Sequence, residues 1–107
     1  GQSIELSSAI DEDFLLFLSV ERVNNPARGR HGGLPGSPGR IQIGEAGNES
    51  PGKGEFCVHA GERLYFETPG GGGLGSPYDR DIQLLTKDVE EGNVSKEAAK
   101  NLYGKQL

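Results

Sequence analysis

Residues 68–77 read Thr68-Pro69-Gly70-Gly71-Gly72-Gly73-Leu74-Gly75-Ser76-Pro77, with four consecutive glycines held between two prolines. Such a run has backbone freedom that other residues lack, and its entropic cost is accepted only where a chain must bend sharply or approach something closely. The segment therefore marks either a forced turn or a docking surface. Residues 63–67 before it read as a strand, and the chain from Asp81 onward reads as a helix. A glycine-rich turn between strand and helix is a place where backbone N–H groups can face an anion. Gly70, Gly72 and Gly75 satisfy the G-x-G-x-x-G spacing of a dinucleotide-binding turn. In that fingerprint, however, the last glycine already lies in the helix, whereas here Pro77 intervenes and the helical pattern begins only at Asp81. No Gly-Lys-Ser/Thr follows the glycines, so a phosphate-binding P-loop fails as well.

The 107 residues have room for one small domain, and a hydrophobic fraction of 33% with a mean hydropathy of -0.55 is thin for a chain that must fold alone. Conformational entropy on the order of 100–200 kcal/mol opposes the folding of a chain this size, and 18 glycines raise that cost. The core is expected to borrow surface from something else. The chain holds no methionine and opens on Gly1-Gln2, which reads as a piece excised from a longer protein. A net charge of -5 argues against a dedicated nucleic-acid binder. The single cysteine, Cys57, cannot form an internal disulfide, and no apolar run approaches the ~20 residues of a membrane span. A cytoplasmic protein without nucleic-acid or membrane partners is expected.

The hydrophobic pattern predicts an α+β fold: a small, mostly antiparallel β-sheet with long Gly/Pro-rich loops and two short C-terminal helices. It is taken as one domain over residues 1–107, β-rich over 1–78 with a helical tail over 79–107. Residues 3–7 alternate polar and apolar and read as a strand. In residues 14–23, Phe14, Leu16, Leu18 and Val20 fall on one face while Leu15 and Phe17 fall on the other. A strand with two apolar faces is usually central, though periodicity alone does not separate it from a short helix. Residues 24–40 form a long loop without apolar periodicity, carrying Arg28, Arg30, His31 and Arg40. Residues 41–43 read as a short strand, residues 44–53 as an exposed polar turn, and residues 56–59 with 63–67 as a hairpin across Ala60-Gly61-Glu62. Asp81 caps a helix with Ile82, Leu85 and Val89 as its apolar stripe and Gly92 as its stop. A second helix starts at Ser95, with Val94 and Ala99 placed as a staple, Glu97 in the first turn, and Ala98, Leu102 and Tyr103 on the buried side.

Three blocks, in order, carry a resemblance. Glu21-Arg22-Val23-Asn24-Asn25-Pro26-Ala27-Arg28-Gly29-Arg30-His31-Gly32-Gly33 is a strand exit into a glycine-rich loop, and residues 59–77 are a strand running into Thr68-Pro69-Gly70-Gly71-Gly72-Gly73. Asp79-Arg80-Asp81 and residues 88–99, followed by Tyr103-Gly104, make the third. Together they resemble the C-terminal region of the hydantoinase B/5-oxoprolinase family, which includes N-methylhydantoinase B and is related to an acetone carboxylase subunit. Members are several times longer, so the resemblance implies that this chain is the tail of a larger B component, inactive alone. The B component works with an ATP-using hydantoinase A-like component to open cyclic amides such as hydantoins or 5-oxoproline, and related pairs carboxylate ketones. In that chemistry the amide carbonyl is phosphorylated and the C–N bond is then hydrolysed. No cofactor is expected in this segment, while the parent complex is implied to use ATP with a divalent metal. The alternative is a noncatalytic module that links the A and B components.

No catalytic residue of the family reaction is recognised in these residues. The candidates for anion or interface binding are Arg28, Arg30 and Arg40, whose guanidinium groups suit a carboxylate or phosphate, with His31 beside them as a proton-transfer group. The arginines either face a charged intermediate or acidic partner surface, or pair with the excess of acidic residues and fix the loop. Gly71, Gly72 and Gly73 offer only backbone, either as a tight interdomain turn or close packing against the missing part of the larger protein, or shaping an active-site or subunit interface. Cys57 and His59 share a strand face, but two ligands cannot close a zinc site, so they read as a buried thiol and a strand-end histidine, with no metal site. Asp79 and Asp81 read as helix-start residues.

Overall fold

A computed structural model describes residues 1–45 and 48–107. It divides into two units: Gly1–Ala27 with Gly36–Gly71, and Arg28–Pro35 with Gly72–Leu107. Strands and helices are segregated along the chain as β1 (Ser3–Ser7), β2 (Phe14–Ser19), β3 (Arg40–Ile43), β4 (Lys53–Val58), β5 (Arg63–Glu67), α1 (Ile82–Glu90) and α2 (Lys96–Asn101). A single 3-10 turn, Pro77–Asp79, precedes α1. The expected α+β class is present, with its β part built as two small antiparallel sheets in place of one.

The first unit contains both sheets. One has the order β1-β5-β3 and the other pairs β2 with β4. Registers of Ile4 and Ile41 with Phe66, and of Leu6 and Ile43 with Leu64, put these apolar side chains on one face of the three-stranded sheet. Phe14, Leu16 and Leu18 fall on one face of the β2–β4 ribbon beside Val58 and Phe56. The core forms where these inner faces meet: Ile41, Ile43, Val58 and Leu64 are buried, with Phe14, Leu16, Leu18, Val20, Phe56 and Phe66 packed against them. Each fully buried aliphatic side chain of this kind contributes roughly 1.5–3 kcal/mol. Ile4 and Leu6 stay partly in water because β1 is an edge strand.

The hairpin expected between residues 56–59 and 63–67 does not form. Glu62 N–H donates to His59 O at 3.0 Å and Gly61 takes a φ of 81°, but this corner carries the chain from one sheet to the other. Both edges of β5 are occupied by β1 and β3, while β4 runs along β2 for six residue pairs. β2 is likewise not central. Its second apolar face lies open, with Leu15 62% and Phe17 74% exposed, because no other part of the described chain covers it. β2 ends at Ser19, and the chain turns away from it through Arg22, which takes a φ of 64°.

The turn expected to be exposed over residues 44–53 is only partly so. Ala46 and Gly47 lie outside the described residues, but Ser50 is buried. The chain folds back along β3 there: Ser50 N–H donates to Ile41 O at 2.9 Å, Ile43 N–H donates to Asn48 O at 3.2 Å, and the Asn48 side chain returns a bond to Ile43 O at 2.6 Å. Backbone groups of a buried strand need such partners.

In the second unit the helix signals act where the residues place them. Asp81 Oδ1 accepts from Gln83 N–H at 2.9 Å and Leu84 N–H at 3.1 Å, capping α1, and Gly92 follows it with a φ of 78°, the left-handed conformation that ends helices. Ser95 Oγ accepts from Ala98 N–H at 3.0 Å, capping α2, and Gly104 closes it with a φ of 66°. Leu85 and Ala99 are buried. Ile82 and Leu102, expected on the buried sides, are largely exposed, since α2 has only six residues and two short helices cannot cover a full apolar stripe on each other. No helix among the described residues is long and apolar enough to cross a membrane.

Candidate functional site

Arg28, Arg30 and His31 stand on the glycine-rich loop of the second unit, and the reason for its composition is steric. A methyl group added at Gly29 would overlap the Gly33 carbonyl, one at Gly33 would overlap the Gly73 carbonyl, and one at Gly72 would overlap the Arg28 carbonyl. Two glycine segments thus lie backbone against backbone, at a separation no side chain permits. Hydrogen bonds lock them: Arg30 N–H donates to Gly73 O at 2.9 Å, Arg30 O accepts from both Gly33 and Gly75 N–H at 2.9 Å, and Gly73 N–H donates to Leu34 O at 2.8 Å. The first unit has the same device, where Gly36 meets the Gly70 carbonyl and Gly70 N–H donates to Ser37 O at 2.9 Å.

At the tip of the loop, Arg30-His31-Gly32-Gly33 form a turn with φ of 50° at His31 and 85° at Gly32, closed by the Gly33-to-Arg30 bond. Two successive positive φ values are the pattern of a type I′ turn. His31 is a non-glycine residue held there, a conformation uncommon for anything but Gly, Asn, Asp and His. Arg28, Arg30 and His31 are all exposed on this rigid backbone. Among the described residues neither Arg28 nor Arg30 makes an ion pair. The amides of Gly73 and Gly75, which the sequence offers to an anion, are instead consumed by the loop pairing. Gly71 is different: a methyl there would meet nothing within 4 Å.

Arg40 is in the first unit, and its charge is already answered. Its Nε donates to Glu49 Oε1 at 2.6 Å, and Glu67 Oε1 lies 3.7 Å from its Nη1. The hydrogen bond it donates to Glu49, then the charges of Glu49 and Glu67, hold the guanidinium above its already high ordinary range. Arg40 lines a shallow depression of about 330 Å³ together with Gln42, Gly44, Tyr65 and Glu67. For this arginine the pairing reading of the sequence describes the observed contacts.

Cys57 and His59 share the outer face of β4, as alternation requires, but the thiol is exposed and not buried. The reason is the open outer face of the β2–β4 ribbon, where Leu15 pairs with Cys57. Extending that register by one position sets Asp13 opposite His59, a residue whose role sequence reasoning missed. Asp13 Oδ1 accepts from Ala60 N–H at 2.8 Å and Oδ2 lies 3.3 Å from His59 Nδ1. The Ala60 amide first, then His59, hold the Asp13 carboxyl below its ordinary range. His59 Nδ1 is 3.8 Å from Cys57 Sγ. Only the β2–β4 register could have revealed this trio, because Asp13 and His59 are 46 residues apart.

Comparison with protein-family models matches residues 1–77 to the Hydantoinase B/oxoprolinase family. The chain belongs to that family. The matched stretch holds β1 to β5 and the two glycine loops described above. This member of the hydantoinase B/oxoprolinase family is also 33% identical over 93 residues to an uncharacterized protein of Methanocaldococcus jannaschii, an alignment covering 85% of this chain and 16% of that protein. The chain thus spans about a sixth of the length of the curated relative it matches. No solved structure matches it.

Proposed function

We propose that this chain is a supporting domain of an ATP-dependent cyclic amide hydrolase of the hydantoinase B/5-oxoprolinase kind, in which the rest of a larger B component completes the active site. The family match over residues 1–77 carries this reading, and alignment to only 16% of a relative supports a larger body around it. Arg28 and Arg30, exposed on a backbone locked by glycine pairing, are suited to hold a phosphorylated or carboxylate-bearing intermediate through paired hydrogen bonds. His31 beside them is suited to move a proton. ATP and a divalent metal enter with the hydantoinase A-like component, and dependence on ATP goes with a cytoplasmic location.

A second reading, a noncatalytic module joining the A and B components, is favoured by the open apolar face of Leu15 and Phe17. The two readings separate in one experiment on the larger protein with its ATP-using partner, assayed against 5-oxoproline, hydantoins, and acetone with bicarbonate, each with and without ATP. Arg28→Ala and Arg30→Ala lower turnover of the assembled complex if the loop serves the active site. Unchanged kinetics would remove that role, and loss of assembly in Leu15→Ser with Phe17→Ser would then establish the module. Turnover of acetone in place of the cyclic amides makes the parent a ketone carboxylase.

A further inference from the structure

We propose that Asp13, Cys57 and His59 form a binding site for a zinc-class divalent cation at the end of the β2–β4 ribbon. One donor atom from each lies within 4.8 Å of the others. Individual separations are 3.8 Å for Cys57 Sγ to His59 Nδ1 and 3.3 Å for His59 Nδ1 to Asp13 Oδ2. Ligands at ordinary Zn–S, Zn–N and Zn–O bond lengths around a tetrahedral ion stand roughly 3.2–3.6 Å apart, so the two His59 separations already lie close to that geometry and the exposed thiol moves inward to complete it.

The scaffold holds the donors before any ion arrives. Cys57 and His59 are two residues apart on one face of β4 and its extension, and Asp13 faces them at the start of β2. Asp13 is anchored through Oδ1 by the Ala60 amide at 2.8 Å, leaving Oδ2 turned to His59. The His59 amide is in turn held by Glu62 Oε1 at 2.9 Å. Backbone and carboxylate bonds of this kind orient metal ligands. The donor set selects the ion: a thiolate with an imidazole and one carboxylate suits zinc, whereas magnesium and calcium prefer oxygen alone. Three protein ligands leave the fourth tetrahedral position to water or to a side chain from a covering surface.

Cobalt(II) titrated into the full chain tests this directly, since Cys57 is its single cysteine. The expected result is one equivalent bound, with intense tetrahedral visible bands and a thiolate-to-cobalt band in the near ultraviolet, all displaced by zinc. Cys57→Ser should abolish the near-ultraviolet band, and Asp13→Asn should weaken binding at least about tenfold, the loss usual even for groups that only orient a ligand. Far-ultraviolet circular dichroism shows whether each variant is folded. Independently of any variant, zinc should slow alkylation of Cys57 in the unaltered chain. A weak octahedral cobalt spectrum, equal affinity in Cys57→Ser, or an alkylation rate indifferent to zinc would overturn the site.

Discussion

Ile41, Ile43, Val58 and Leu64 hold the first unit by closing apolar side chains between two sheets, whereas the loops of the second unit meet through glycines whose lack of side chains is what lets them touch. One region is stabilised by what its residues carry and the other by what they omit. The two places therefore fail in different ways: shortening a side chain harms the sheet core, and lengthening one harms the paired loops. This also explains how a chain with 18 glycines and a modest hydrophobic fraction reaches a defined structure. Backbone hydrogen bonds between loops supply order that side-chain burial does not.

The contrast is sharpest at the core. Ile41→Ala should cost about 2–5 kcal/mol, the range for truncating a buried isoleucine, read from the midpoint of urea unfolding. A loss near zero would break the claim that the two sheets share one core. Next, Gly33→Ala and Gly72→Ala should each cost about 1–3 kcal/mol or more by forcing the paired backbones apart, while Gly71→Ala, in open space, should stay within about 0.5 kcal/mol. Equal effects at Gly71 and Gly72 would refute the close loop pairing. Phe17→Ser should change the stability of the chain by no more than about 0.5 kcal/mol because the ring is already in water; a strong loss of stability would mean that β2 is covered after all.

The smallest effect is on acid stability. Asp13 and Glu21 are both held below their ordinary values, Asp13 by the Ala60 amide and then His59, Glu21 by its hydrogen bond and ion pair with Lys53. A carboxyl lowered on folding contributes stability that is present above its unfolded pKa and is lost as pH falls through its folded one. Stability should therefore decline below the ordinary carboxyl value of 3.8 for Asp13. Asp13→Asn should flatten that decline in a pH series of thermal melts, and an unaltered slope would discard the contribution.

Helix ends were readable residue by residue. Asp81, Ser95, Gly92 and Gly104 act through groups within four positions, so caps and stops fall where the chain writes them. Strand partners were less legible. The expected hairpin joins neighbours in sequence, yet β4 chose β2 and β5 chose β1 and β3, a choice made by matching apolar faces across long loops. The site shows the same division. Arg28, Arg30 and His31 were visible as a cluster, but Arg40 belongs to a different unit and is paired with Glu49. Asp13 reads in sequence only as part of an acidic turn, because its position beside His59 exists only once β2 and β4 are in register.

Local chemistry in the chain was enough to specify the α+β class, the helix caps and stops and the two family blocks that fall within residues 1–77, since each depends on residues near one another or on their order. Folding in three dimensions settled the split into two sheets, the exposure of Leu15, Phe17 and Cys57, and the meeting of Asp13 with His59. Those outcomes depend on which surfaces find each other across tens of residues, where the hydrophobic effect is non-directional and only the completed packing selects among the pairings.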